Sequence, residues 1–215
     1  MTVGTIIFAM AGIVFTVPKL LLKTFEFDLY AEEVIEDSEI SEYSQIKTLA
    51  TSLLLKEEKD NGCVPYKDNK GYPTICIGKL CAHIKVNTLE EVKIACSSLL
   101  SICTPEKCRE WFDQDIEQSY SCMNRYKIIK DAFDKASILR KTVLISMAYQ
   151  CGCEGLSKFK KTLTYMANEE WDKASDEMLD SDWYRKDSSN RAKRHADIMK
   201  NDKNSKYCSY YGWSN

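Results

Sequence analysis

Ten cysteines lie between Cys63 and Cys208, and none precedes them. An even set confined to one region reads as a disulfide framework, and each bridge removes many of the loop arrangements otherwise open to the chain. Such a framework implies an oxidising compartment, the alternative being a reduced protein with buried thiols. Zinc is the competing use, but no C-x-x-C pair occurs and the two histidines, His83 and His195, complete no ligand spacing, so no metal is expected. Cys63 and Cys81 flank a turn-dense segment and are expected to pair, and Cys208 is expected to pin the C-terminal end by a disulfide.

Charge divides the chain. Residues 1–55 carry 3 Lys and Arg against 8 Asp and Glu, which leaves the remainder with a small basic excess within a total of −2. Residues 2–17 are uncharged, and Leu20 to Leu22 extend the apolar run past Pro18 and Lys19. A full span needs about 20 residues, so residues 1–23 read as a hydrophobic signal or anchor segment, cleaved or retained; a buried apolar helix is the alternative. No Lys or Arg comes before the run and Lys19 and Lys23 follow it, against ordinary signal-peptide orientation. Residues 24–45 are acidic and read as a linker or stalk. Hydrophobic residues at 44 % supply one sizeable core, expected over 46–200, with a tail at 201–215. The domain is thus expected to be secreted or membrane-anchored and monomeric, with no nucleic-acid partner.

The apolar spacing of residues 49–59 predicts a short amphipathic helix ending at Glu57 and Glu58. The turn formers from Asp60 to Tyr72 and the β-prone stretch Pro73 to Gly78 predict a hairpin after it. Asp68 on that hairpin and a glutamate at the helix end could then face each other across a cleft. Glycosidic hydrolysis needs such a pair, one carboxyl protonated to serve the leaving oxygen and the other ionised to activate water or stabilise positive charge. Two acids ten residues apart are also what a solvated surface provides.

The run Pro65-Tyr66-Lys67-Asp68, then Gly71-Tyr72-Pro73-Thr74-Ile75-Cys76-Ile77-Gly78, resembles the active-site hairpin of phage-type lysozymes, glycoside hydrolase family 24. Later blocks agree in order and spacing: Leu144 to Gly152, Phe159 and Leu163, Glu170 to Ala174, Trp183-Tyr184, and Asn190 to Arg194. A helix opening at Thr104-Pro105-Glu106 lies between, and the similarity covers about residues 50 to 200. The resemblance implies an α+β, mostly helical, two-lobed lysozyme-like fold: a small β-hairpin lobe, a long connecting helix from about Thr104 to Tyr126, and a helical C-terminal lobe.

It also implies an enzyme, a muramidase that hydrolyses the β-1,4 bond between N-acetylmuramic acid and N-acetylglucosamine of bacterial peptidoglycan without a cofactor. Asp68 and Thr74 fall on the family's positions directly. Counting back from Tyr66 without a gap puts Lys59 at the acid's position; one inserted residue brings Glu58 there, with Glu57 the alternative. Glu58 would be the general acid, Asp68 would orient water or stabilise the cation, and Thr74 would help hold that water. The family inverts configuration, which implies carboxyl groups about 6.5 to 9.5 Å apart. Arg191 matches the arginine set against the catalytic glutamate, and Gln150 and Trp183 match cleft-supporting positions, read equally as a core-edge amide satisfied by an indole N–H.

Three departures accompany the match. Lys59 replaces the glycine after the acid, Cys76 replaces a strand glycine, and Lys79 replaces a histidine whose aspartate partner is retained as Asp115. A Lys79–Asp115 ion pair is expected. A catalytically inactive peptidoglycan-binding module and a membrane-tethered lytic regulator are the alternative functions.

Overall fold

A computed structural model describes residues 42–213; the segment 1–23 and most of the stretch 24–45 lie outside the described residues. Helix α1 (residues 42–57) starts ahead of the expected 49–59 and buries Ile46, Ala50, Leu53 and Leu54, a spacing of four, three and one that forms one helical stripe. Three short strands follow, β1 (Tyr66–Lys67), β2 (Pro73–Ile75) and β3 (Lys79–Leu80), in antiparallel order β1-β2-β3. Thr74 stands opposite Tyr66 on one side and Leu80 on the other, so the central strand carries it into the interior. A bridge from Asp60 to Ile77 ties the far end of the hairpin back to the exit of α1.

Helices α2 (Leu89–Ala95) and α3 (Ser97–Leu100) complete the small lobe, α2 capped by the Thr88 hydroxyl, which accepts from the Glu91 amide. The connecting helix α4 (Pro105–Ser121) begins where its sequence says it should: Thr104 caps it and Pro105 takes the first turn. Its buried residues split between two cores. Cys108 and Trp111 pack with Ile75 and Cys76 in the small lobe, whereas Phe112 and Ile116 join the large core. The helix stops at Ser121, short of the expected Tyr126, and a single 3₁₀ turn, Cys122–Asn124, follows it before Tyr126 leads into the next helix.

The C-terminal lobe packs α5 (Lys127–Lys135), α6 (Ile138–Ser157), α7 (Lys160–Ala167), α8 (Trp171–Leu179) and α9 (Ser189–Asn201) around that large core, with a π-helical turn over Trp183–Asp187 before α9. α6 is buried continuously from Thr142 to Ala148 and breaks at Gly152, whose φ of 71° lies in the left-handed region. The architecture is the expected α+β, mostly helical lysozyme-like arrangement. No helix among the described residues is long and apolar enough to cross a membrane.

Four disulfides bind the framework: Cys63–Cys103, Cys76–Cys108, Cys81–Cys96 and Cys122–Cys153. The expected Cys63–Cys81 pair is therefore incorrect, because Cys63 lies beside the entrance of α4 while Cys81, past β3, meets Cys96 at the end of α2. The tail expectation also fails. Cys208 is unpaired, and Tyr211 and Trp213 instead bury their rings, with the Trp213 indole donating to the Ser52 hydroxyl at 2.8 Å. Two apolar rings and a helix-side acceptor hold this end without a covalent tie.

Candidate active site

A cleft of about 1460 Å³ opens between the sheet, the end of α1, α4, the end of α6 and the start of α9. Glu58 lies one residue past α1, its amide still donating to the Leu54 carbonyl at 2.8 Å, so its side chain inherits the direction of the helix face. One carboxyl oxygen accepts from Arg191 Nη2 at 2.7 Å. The other faces Gly78, where a Cβ would come within 3.4 Å of it and 3.5 Å of the Tyr149 hydroxyl. Gly78 thus leaves room at the acid and adopts a φ of 76° that side-chain-bearing residues rarely take. Tyr149 donates to the Ile77 carbonyl at 2.6 Å, locking α6 to the hairpin beside Glu58.

Asp68 is built into the hairpin turn. Its Oδ1 accepts from the amides of Lys70 and Tyr72 at 2.9 and 2.7 Å, and Oδ2 takes no hydrogen bond from the described residues. The turn therefore orients the carboxylate of this cleft-lining residue while using only one of its oxygens. Thr74, 3 % exposed, donates to the Tyr72 carbonyl at 3.2 Å. Glu58, Asp68 and Thr74 all line the same cleft. Tyr66 lines the same cleft; burial and then the charge of Glu58 push its phenol up to about 12, which keeps it a neutral donor at ordinary pH.

The expected Lys79–Asp115 pair is present at 2.7 Å, joining hairpin to α4 with both side chains about a quarter exposed, 26 and 22 %. Gln150 accepts from the Trp183 indole at 2.8 Å and donates to the Ser188 hydroxyl, so both ends of its amide are used in holding the π-helical turn against α6. Both residues of the expected pair thus sit together, Gln150 on the cleft wall and Trp183 buried behind it.

Glu57 also borders this cleft, but its carboxylate is already engaged. Its carboxylate, 3 % exposed, receives both Arg194 donors, the Tyr211 hydroxyl and, at 3.4 Å, Arg191 Nε. Burial alone would raise this carboxyl, but the Arg194 and Tyr211 hydrogen bonds outweigh it and hold the group below the usual carboxylate range. Arg191 and Arg194 are three apart on α9, a spacing that puts both on one face and could have marked Arg194 from sequence. Tyr211 carries no such signal, because the tail follows no helical register that predicts where it returns.

The phage lysozyme family model matches residues 59–196, starting one residue beyond Glu58. Probable T4-type lysozyme 1 of Dictyostelium discoideum is 28 % identical over 140 residues, covering 60 % of this chain and 82 % of the relative. Probable T4-type lysozyme 2 of the same organism is 24 % identical over 148 residues with the same coverage of 60 and 82 %. The pre-baseplate central spike protein Gp5 of Enterobacteria phage T4 is 28 % identical over 127 residues, but only 22 % of that longer protein is spanned. With the hairpin, the connecting helix and most of the helical lobe inside the matched stretch, the chain belongs to the phage lysozyme family.

Proposed function

We propose that this chain is a muramidase that cleaves the β-1,4 bond between N-acetylmuramic acid and N-acetylglucosamine in bacterial peptidoglycan. The observation that carries the reading is Glu58, held by Arg191 at the end of α1 and opening onto the cleft that Asp68 and Thr74 also line. Protonated Glu58 gives its proton to the glycosidic oxygen, and the C1–O bond breaks with that oxygen leaving as the hydroxyl of the departing sugar. A water held by the free oxygen of Asp68 and by Thr74 attacks C1 from the opposite face and passes a proton to Asp68, so configuration inverts. Glu57 is the poorer acid, since two arginines and a tyrosine occupy its carboxylate and favour the ionised form. Gln150 and Trp183 shape the cleft wall rather than react.

Four disulfides suit an oxidising, extracytoplasmic setting. Residues 1–23 are proposed to deliver or tether the domain there.

The test is loss of turbidity of purified peptidoglycan by the oxidised protein and its Glu58→Gln and Asp68→Asn variants. Each substitution is expected to lower activity by about 100-fold or more. Activity surviving Glu58→Gln moves the acid to Glu57. A parent that binds wall without clearing it is instead a peptidoglycan-binding module.

A further inference from the structure

Glu57, Arg194 and Tyr211 form a buried cluster directly behind the proposed acid, and its last member comes from the tail, beyond the stretch that matches the family model. Arg191 is shared between the two glutamates. Its Nη2 donates to the Glu58 carboxylate at 2.7 Å and to the Glu57 carbonyl at 3.0 Å, while its Nε lies 3.4 Å from the Glu57 carboxylate. With Arg191 only 7 % exposed, solvent screens these charges little, so what Glu57 takes from the guanidinium Glu58 loses.

We propose that Glu57 and Tyr211 are positioning residues for Glu58: Glu57 holds and partly neutralises Arg191, and the Tyr211 hydroxyl, brought in by the C-terminal tail, sets how much of the Glu57 charge Arg191 receives. The inference rests on Glu58 being the acid. Arg191 and Arg194 come to Glu57 from α9, Tyr211 comes from the tail, and the neighbouring carboxyl group on its own segment is Glu58. His195 also lies on α9, fully buried against Ser146, and burial keeps it neutral, so it adds no charge to this balance.

The signs follow from the charges. In Glu57→Gln a negative charge beside Glu58 disappears, and Arg191 keeps its hydrogen bond to Glu58 without sharing its charge with a second carboxylate, so the ionised form of Glu58 is favoured. The alkaline limb of the kcat/KM profile then moves to lower pH by about one unit. Glu57→Asp keeps the charge and should restore most of the parental limb. In Tyr211→Phe the full Glu57 charge falls on the arginines, Arg191 is drawn from Glu58, and the limb moves by a smaller step to higher pH, with KM within about twofold of the parent.

The experiment records pH–rate profiles on peptidoglycan for the full-length parent, Glu57→Gln, Glu57→Asp and Tyr211→Phe. Beside them, carbon-13 carboxyl titrations follow the Glu58 resonance, assigned through Glu58→Gln. Opposite displacements in Glu57→Gln and Tyr211→Phe are the expected result in both measurements. Should Glu57→Gln fail to fold, Tyr211→Phe still decides, since only a hydroxyl is lost. Unmoved limbs and an unmoved Glu58 titration beside a lowered Tm would make the cluster purely structural and overturn the proposal. A Glu58 resonance that shifts as expected in a parent without turnover would leave the coupling standing and refute the muramidase reading instead.

Discussion

Cys76 occupies a backbone conformation that its side chain does not favour. Its φ of 56° is left-handed, in the turn between β2 and β3, and a non-glycine residue there costs on the order of 1 kcal/mol or more. The bridge to Cys108, which closes a loop of 32 residues, contributes about 3.7 kcal/mol in the opposite direction. Replacing the pair by Cys76→Gly and Cys108→Ala should therefore lower the urea-derived stability by roughly 2.5 kcal/mol, less than the bridge alone, because the glycine relieves the backbone. A second residue-scale consequence concerns acid. Burial, aided by the charges of Arg191 and Arg194 and opposed by that of Glu57, pulls His195 down to about 3 from its ordinary 6.5. The unfolded chain then binds a proton that the folded one refuses between these values, so stability falls as pH drops from about 6.5 towards 3. His195→Gln should flatten the stability profile in that window by up to about 1.4 kcal/mol per pH unit, measured by urea unfolding at fixed pH steps. Individual residues were unequally legible. Asp68 and Thr74 follow from an intact spacing, whereas the choice between Glu57 and Glu58 turns on which carboxyl the arginines of α9 enclose, a long-range fact that local sequence does not carry.

Among the elements, α4 does the most to relate the two lobes, since one part of its buried face serves each core. Its start was readable from Thr104 and Pro105, because caps are local chemistry; its end was not, since the 3₁₀ turn at Cys122–Asn124 coincides with the bridge to Cys153 on α6. The small lobe has little apolar mass of its own. Its buried clusters amount to Ile75, Cys76, Cys108 and Trp111 in one place and Val86, Val92 and Cys96 in another, so three disulfides stand in for a core. Reduction by dithiothreitol should accordingly open the segment from Cys63 to Cys108 to protease while the C-terminal helices stay intact, as mass spectrometry of the fragments would record. Simultaneous loss of both lobes would contradict this division. Cysteine pairing was beyond sequence reading for a physical reason: it depends on which segments the folded lobe brings side by side, and Cys63 meets α4's entrance rather than its neighbour in the chain.

For the whole molecule, the order and spacing of the motifs that resemble phage-type lysozymes sufficed to anticipate a hairpin lobe, a connecting helix and a helical lobe around a cleft. The tail was the main omission. Read as an end pinned by a disulfide, the tail instead returns to α1 through Tyr211 and Trp213 and places Tyr211 on Glu57, which makes it part of the surroundings of Glu58. Central to the account is that the cleft breaks the bond on the reducing side of N-acetylmuramic acid, with Glu58 as proton donor. Digesting purified peptidoglycan, reducing the new ends with borohydride and identifying the sugar alcohols by mass spectrometry tests this most directly. N-acetylmuramitol from the parent, and none above background from Glu58→Gln, is the expected result. N-acetylglucosaminitol in its place, or reducing ends released equally by both proteins, would contradict it.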